Sequence, residues 1–325
     1  MQQVTMTPKV SLGMPVYNGQ KHIESALQAI SSQTFEDFEL VICDNCSEDG
    51  TEAICRSYAA GDSRIKYRRN IRNMGAAANY NLTFELSLGE YFKWTAHDDV
   101  CAPDYLAKCV EALDNSPRDV VLCYPRTTLI DEFGHFICDY REDPELMQPT
   151  PDWRLAYLLR NLKQCNAVHG LMRSESLRRT RLIGGYFASD VVLLAELALI
   201  GKFMTLDEKL FYRRIHPGAS RRANRTYSEV SAWFDPAKRN GVVLPLSNLF
   251  VELVRSIARS ELSYAGKVSC VIAAFEAWGG RYWRQMGGEA KMGLKALYGG
   301  LLARLRERRR FAAAASKVMS TIANQ

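Results

Sequence analysis

Short apolar runs alternate with segments whose apolar residues recur every three or four positions. Residues 9–15 read as a first strand stopped by Pro15, and Tyr17-Asn18-Gly19 as a turn tolerant of positive φ. Ile23, Leu27 and Ile30 then lie on one face of a helix. Residues 38–43 form a second strand ending at Asp44-Asn45. Ser47 to Thr51 make a turn and cap for a helix through Ala53, Ile54 and Tyr58. Residues 65–68 are a short strand, 70–75 a loop and 76–88 a helix of small residues. Residues 91–96 and 120–124 are further strands. Strands alternating with helices predict a parallel, doubly wound sheet.

The middle of the chain is less regular. Residues 141–152 hold three prolines and several acids, and predict an exposed, mobile flap, with Asp152 capping the next helix. Residues 168–173 read as a short strand carrying His169, which either lines an acceptor pocket or is a satisfied structural histidine. Residues 184–190 lead into an apolar helix over 191–200, with Asp190 at its start as an N-cap. A strand from Leu210 runs into the basic turn at Arg213, Arg214, His216, Arg221 and Arg222. After Ser228 the pattern changes. A break at residues 233–236 precedes helices around 245–262, 264–278, 281–298 and 300–316.

Length and composition fit one large α/β domain with a helical annex: 325 residues, 47% apolar and 24% charged. Residues 1–9 lack the basic and apolar pattern of a secretory signal. Without one, nine scattered cysteines read as reduced thiols rather than a disulfide framework, which predicts a cytoplasmic protein. The net charge of +6 is uneven. Residues 228–325 carry 15 Lys/Arg against 7 Asp/Glu, while the remainder is slightly acidic. That excess predicts an anionic partner for the C-terminal region, with peripheral contact to a membrane or a homodimer contact as its uses. The basic residues lack interleaved aromatics, which argues against nucleic acid.

The chemistry concentrates at strand ends. Asp98-Asp99 closes the 91–96 strand, and adjacent carboxylates do not both ionise cheaply without a cation or donors. A divalent metal, Mn²⁺ or Mg²⁺, would answer that need, although acids before a helix also serve as caps. The loop at Pro15, Val16, Tyr17 and Asn18 offers backbone groups and an aromatic face. Asp44 sits where a carboxylate accepts a hydrogen bond from a base N–H. Asn70, Arg72 and Asn73 add donors beside Gly75. A cationic loop at Arg213, Arg214 and Arg221 suits phosphates.

In this order, residues 15–19, 44–51, 73–79 and 98–99 resemble the motifs of family 2 glycosyltransferases with the GT-A fold, over about residues 8–220. The resemblance implies a Rossmann-like, nucleotide-binding mixed sheet flanked by helices. It also implies a nucleotide-diphosphate-sugar donor, UDP favoured, with a divalent metal as cofactor. Under it, Asp44 reads the base, Asp98 lies near the ribose or sugar, Asp99 holds the metal and His216 joins the metal or diphosphate. His97 stands where many members have another Asp or a small residue, and supports Asp98. Asp190 resembles the catalytic base, here in Ser189-Asp190 rather than the usual Glu-Asp, so that only the second acid is kept. A carboxylate there takes the proton of an acceptor hydroxyl as it attacks, and direct displacement inverts the anomeric carbon.

The expectation is an inverting, metal-dependent hexosyltransferase acting in polysaccharide or glycolipid assembly. Residues 1–227 form its catalytic domain and 228–325 a basic helical region. Two alternatives stand beside it. A sugar-phosphate nucleotidylyltransferase would carry a Gly-rich, basic loop where Pro15-Val16-Tyr17-Asn18 stands. A non-catalytic nucleotide-sugar-binding or scaffold protein at a membrane surface requires Asp190 to be only a cap.

Overall fold

The computed structural model describes residues 7–140, 145–224, 226–238 and 244–295. A nine-stranded sheet runs through it. Its strands are β1 Val10–Val16, β2 Phe38–Asp44, β3 Ile65–Arg69, β4 Tyr91–Trp94, β5 Val100–Cys101, β6 Val120–Ile130, β7 Phe136–Tyr140, β8 Leu171–Arg173 and β9 Lys202–Arg214. The helices are α1 Ile23–Ser31, α2 Thr51–Gly61, α3 Ala76–Glu85, α4 Tyr105–Asp114, α5 Pro151–Asn161, α6 Ser174–Arg178, α7 Ser189–Ile200, α8 Ser220–Ala223, α9 Tyr227–Phe234, α10 Pro245–Arg259 and α11 Tyr264–Ala274. Among the described residues no helix is long and apolar enough to cross a membrane.

The sheet order is β3-β2-β1-β4-β8-β6-β9-β5, with β7 paired to β6. Its first half is parallel, as the alternating pattern predicts. In-register pairing of β1 with β2 sets Pro15 beside Cys43 and Val16 beside Asp44, and β4 pairs with β1 on the other side. Three parallel strands therefore end together, and the loops that follow them converge. The second half corrects the all-parallel expectation. β8 runs antiparallel to both β4 and β6, and β5 antiparallel to β9, giving the mixed sheet of the fold-class expectation. β6 and β9 pair in parallel with several register shifts, which bend the pair and carry Arg213 and Arg214 back toward the strand ends.

Two apolar cores cover the two faces. One gathers α1 and α4 side chains such as Leu27, Leu106 and Val110. The other gathers residues of α5, α7, α10 and α11, including Leu158, Leu193, Leu253 and Ala274. α3 lies so close to β1 that a Cβ at Gly13 would run into Thr83. Buried polar ties fix the C-terminal helices. Arg181 reaches Glu196 of α7 and Glu252 of α10, each at 2.6 Å.

Several local expectations change. Of the flap expected over 141–152, residues 141–144 lie outside the described residues, and 146–150 are not loose. Leu146 is fully buried and exchanges backbone hydrogen bonds with Phe203, while Arg154 donates to the carbonyls of Gln148 and Pro149. Pro151, preceded by Thr150, opens α5, and Asp152 instead accepts from Ser269. Residues 166–169 form a 3₁₀ turn ahead of β8. α9 covers Tyr227–Phe234 and so runs into the break expected at 233–236. The basic helix expected at 300–316 lies outside the described residues.

Candidate active site

The first wall of the site is two loops stitched together. Asn18 takes a left-handed backbone, φ 52°, which Asn tolerates better than most residues. Its N–H donates to Ser47 Oγ and its Oδ1 accepts from the Glu48 N–H. Gly19 donates to Thr51 Oγ1, and Gln20 exchanges bonds with Asp49 and Gly50. Tyr17 is left half exposed over this platform.

Behind it lies an asparagine network. Asn45 donates to Asn73 Oδ1 at 2.8 Å and accepts from Asn70 and from the Met74 N–H. Asn70 donates to Asn79, which donates to the Cys43 carbonyl at the end of β2. Four amides thus lock the third loop to the second, and Asn45, Asn73 and Asn79 face a cavity of about 620 Å³. Pro15, Val16, Tyr17 and Asn18 line the same cavity. Asp44 does not. It is fully buried, with one oxygen accepting from the Ser47 N–H at 2.8 Å and the other from the Tyr67 hydroxyl at 2.7 Å. In this arrangement the carboxylate expected to meet the base braces β3 and the 45–51 loop instead.

The opposite wall carries the acids. Asp104, not Asp98 or Asp99, precedes α4, so the acidic pair is not a helix cap. Asp98 Oδ2 meets His216 Nε2 at 2.9 Å, and Asp99 Oδ1 accepts the Arg214 N–H at 2.8 Å. Burial opposes ionisation of Asp98, but His97 and His216 beside it outweigh that and hold its carboxyl below the ordinary range. Asp99 shifts the other way, pushed up by burial and by the neighbouring Asp98 charge. Arg214 itself is buried. Its Nε donates to the Asp98 carbonyl, and its Nη1 to the carbonyls of Asp131 and Glu132. Arg214 thus braces the acidic turn, and it lines the cavity as well. Arg213 lines the cavity, and the Arg221 side chain lies outside the described residues.

Among the described residues no three His, Cys, Asp or Glu side chains gather into a complete cation site. The groups present suit a cation that a ligand completes. Asp98, Asp99 and His216 all line the cavity, and the raised Asp99 carboxyl reports a site short of positive charge. Hard divalent ions are commonly held by one or two carboxylates together with substrate phosphates.

A second cavity of about 670 Å³ adjoins the first, sharing Tyr80, His169, Arg213, Asn224 and Trp233. Asp190 lines it from the first turn of α7. The residue ahead of that helix, Ala188, is held at φ 60°, a conformation costly for a side chain with a Cβ and characteristic of functional positions. The floor is apolar, from Val168, Ile183, Phe187, Val230 and Phe234. His169 bridges the cavities with Nδ1 3.3 Å from the Trp94 carbonyl, and burial with nearby Lys93 and Arg213 lowers its pKa to about 3. It is a neutral group here.

Sequence reading did not single out Asn79, Tyr80, Asn224 or Trp233. Asn79 and Tyr80 sit on a helix without strong periodicity, and α9 carries Trp233 over the cavity from a segment read as a break. A signal was present for this cover: Gly75 has φ 85°, and a Cβ there would lie 2.6 Å from the Phe234 carbonyl, so α9 seats on a position only glycine leaves open.

The family described as "Glycosyl transferase family 2" matches residues 11–182, more than half of the chain. An uncharacterized glycosyltransferase of Rickettsia typhi is 31% identical over 170 residues, 52% of this chain and 51% of that protein. The putative glycosyltransferase EpsE of Bacillus subtilis is 29% identical over 261 residues, 78% of this chain and 89% of its own. Against the rickettsial relatives named first, the chain spans about half of their length or less. Among solved structures, S. aureus TarS 1-349 in complex with UDP superposes with a TM-score of 0.58 at 18% identity, over 81% of this chain and 69% of that one. The Pyrobaculum calidifontis mannosyltransferase PcManGT, in complex with GDP-Man and Mn²⁺, gives 0.51 at 18% identity, over 83% and 70%. At that identity the likeness is one of fold.

Proposed function

The chain belongs to glycosyl transferase family 2, and from that premise we propose that it transfers a sugar from a nucleotide-diphosphate donor to an acceptor hydroxyl with inversion. The observation that carries this is the adjoining pair of cavities, one floored by the asparagine network and acidic pair, the other by Asp190. The donor fills the first. Tyr17 and the 15–18 backbone flank its base, Asn73 and Arg213 offer donors, and Asp98 faces its sugar end. Asp99 and His216 are the residues that would hold a Mn²⁺ or Mg²⁺ ion, which would supply positive charge for the diphosphate leaving group.

The acceptor enters the second cavity against Trp233 and Phe187. Asp190 accepts the proton of its hydroxyl as that oxygen attacks the anomeric carbon. His169, neutral and shared by both cavities, contacts the acceptor. Arg214, on the wall of the first cavity, keeps the acidic turn in position. Residues 1–227 constitute the catalytic unit, and the C-terminal helices packed on α5 and α7 support it while their basic residues favour an anionic surface, in keeping with polysaccharide or glycolipid assembly at a membrane. UDP is the nucleotide favoured by the family resemblance; structural neighbours were solved with UDP and with GDP-Man.

A thermal-denaturation screen of UDP-, GDP- and dTDP-sugars with Mn²⁺ tests this. One donor class should raise the melting temperature, since a ligand of the folded state stabilises it by mass action. No shift from any of them, in protein that melts cooperatively, contradicts the proposal.

A further inference from the structure

Helix α11 is amphipathic in an inverted sense. The side it turns to the core holds small residues, Cys270, Ala274 and, one turn on, Ala277. Its bulky residues face outward: Tyr264 is 84% exposed, Ile272 54%, Phe275 57% and, further along the helical continuation over 280–295, Trp283 60%. Steps of four, four and three from Tyr264 through Val268 and Ile272 to Phe275 keep these side chains on one face. α5 packs alongside and adds Trp153, 64% exposed, and Tyr157 one turn later. Contiguous exposure of this kind marks an interaction surface rather than ordinary surface composition.

The charges around the face are basic. Arg281 stacks on Tyr282, and Arg284 on Trp283 at 5.3 Å. Residues 264–295 hold five Lys/Arg and two Asp/Glu. Of the two acids, Glu289 is buried, accepting from the Leu246 and Ser247 N–H groups that open α10. Among residues 264–295 that leaves Glu276, 3.8 Å from Arg160, and α5 adds Asp152, which accepts from Ser269. The sequence then continues into Arg304, Arg306, Arg308, Arg309 and Arg310.

We propose that the outer face of α5, α11 and residues 280–295 docks on an anionic lipid bilayer. Trp, Tyr and Phe side chains among Arg and Lys suit the boundary between headgroups and acyl chains, where the rings bury and the cations meet lipid phosphate. A second copy is a poorer occupant, because two-fold pairing would set this cationic face against itself. None of the residues in the face lines either cavity, so the inference stands apart from the donor chemistry.

The test is flotation of the full chain with phosphatidylcholine vesicles, and with vesicles of three parts phosphatidylcholine to one part phosphatidylglycerol, at low and high salt. The chain should float with the anionic vesicles, and less with the neutral ones. The double variant Ile272→Glu/Phe275→Glu should lower partitioning at least about tenfold, as expected when two buried side chains are lost from the apolar layer. Arg281→Gln/Arg284→Gln should remove mainly the preference for anionic lipid. Both variants should keep the parent's melting temperature and nucleotide binding. Three results overturn the proposal: no flotation of the parent with either vesicle, equal flotation of parent and Ile272→Glu/Phe275→Glu, or a parent dimer dissolved by that variant without vesicle binding. Nucleotide binding, read separately, tells failure here from failure of the transferase assignment.

Discussion

Replacing Arg214 with methionine tests how the acidic turn is held. The guanidinium is buried, and it makes one close bond to the Asp98 carbonyl at 2.8 Å and another to the Glu132 carbonyl at 3.1 Å. Longer contacts reach the Asp131 carbonyl at 3.3 Å and Ser25 Oγ at 3.4 Å. Each close bond to a charged donor contributes about 1.5–3 kcal/mol. The two sum to about 3–6 kcal/mol, and part is returned because burying a cation is costly. A net loss of about 3 kcal/mol is expected for Arg214→Met. Nucleotide affinity should fall with it, since the Asp98 carbonyl and hence both carboxylates lose their support. The backbone bond from residue 214 to Asp99 survives the substitution, so the turn loosens rather than collapses. Urea denaturation gives the stability change from the shift in midpoint at constant slope, and nucleotide titration gives the affinity. A variant within about 0.5 kcal/mol of the parent, a change ordinary for surface sites, would refute the bracing role. If nucleotide binding vanished while stability held, Arg214 would instead be a direct phosphate ligand.

Other consequences follow from single contacts. Asp190→Asn should reduce transfer by about 10²–10⁴ while donor affinity stays unchanged, as for loss of a general base; undiminished turnover would leave Asp190 only a helix-terminal residue. Gly75→Ala should cost about 1–3 kcal/mol from the strained backbone alone and weaken donor binding by displacing α9, measured by denaturation and titration; no change in either would detach α9 from the cavity. His22 gives a pH prediction. Burial, with His216 and Arg214 nearby, lowers its pKa from 6.5 to about 4. Between those values the unfolded chain binds a proton the folded chain refuses, so stability is lost as pH falls from 6.5 toward 4, by at most about 3 kcal/mol. His22→Phe, which also removes a buried Nε2 without a partner, should flatten that part of the stability profile; an unaltered profile would mean that His22 protonates freely in the fold.

The parallel half of the sheet was readable because β1, β2 and β4 are short, largely apolar runs set apart by helical segments, α1 with a clear period and α3 by its small residues. β9 was read only from Leu210 onward. Its middle, Asp207-Glu208-Lys209, is exposed and polar, so one 13-residue strand looks like two unrelated pieces. β5 has two residues and β7 turns Phe136 and Ile137 to solvent, leaving no alternation to detect. The site residues divide in a similar way. Asp98 and Asp99 were read from the end of a strand and His216 from the family resemblance, and all three line one cavity. Asp44 was read as facing a ligand, since its position at a strand end says nothing of Tyr67, whose hydroxyl takes up the second oxygen from the neighbouring strand. Arg214 was grouped with Arg213, and both line the cavity; that the Arg214 guanidinium also holds the carbonyls of Asp98, Asp131 and Glu132 shows only in the folded chain.

The most direct test of the donor site is calorimetric titration of UDP, GDP and dTDP into the parent and into Asp99→Ala, each with Mn²⁺ and with EDTA. One nucleotide should bind the parent with Mn²⁺, bind far more weakly with EDTA, and lose the metal-dependent part in Asp99→Ala. Binding that is the same with Mn²⁺ and EDTA and in both proteins would remove the metal from the site, and no binding of any nucleotide to folded parent would remove the transferase assignment itself.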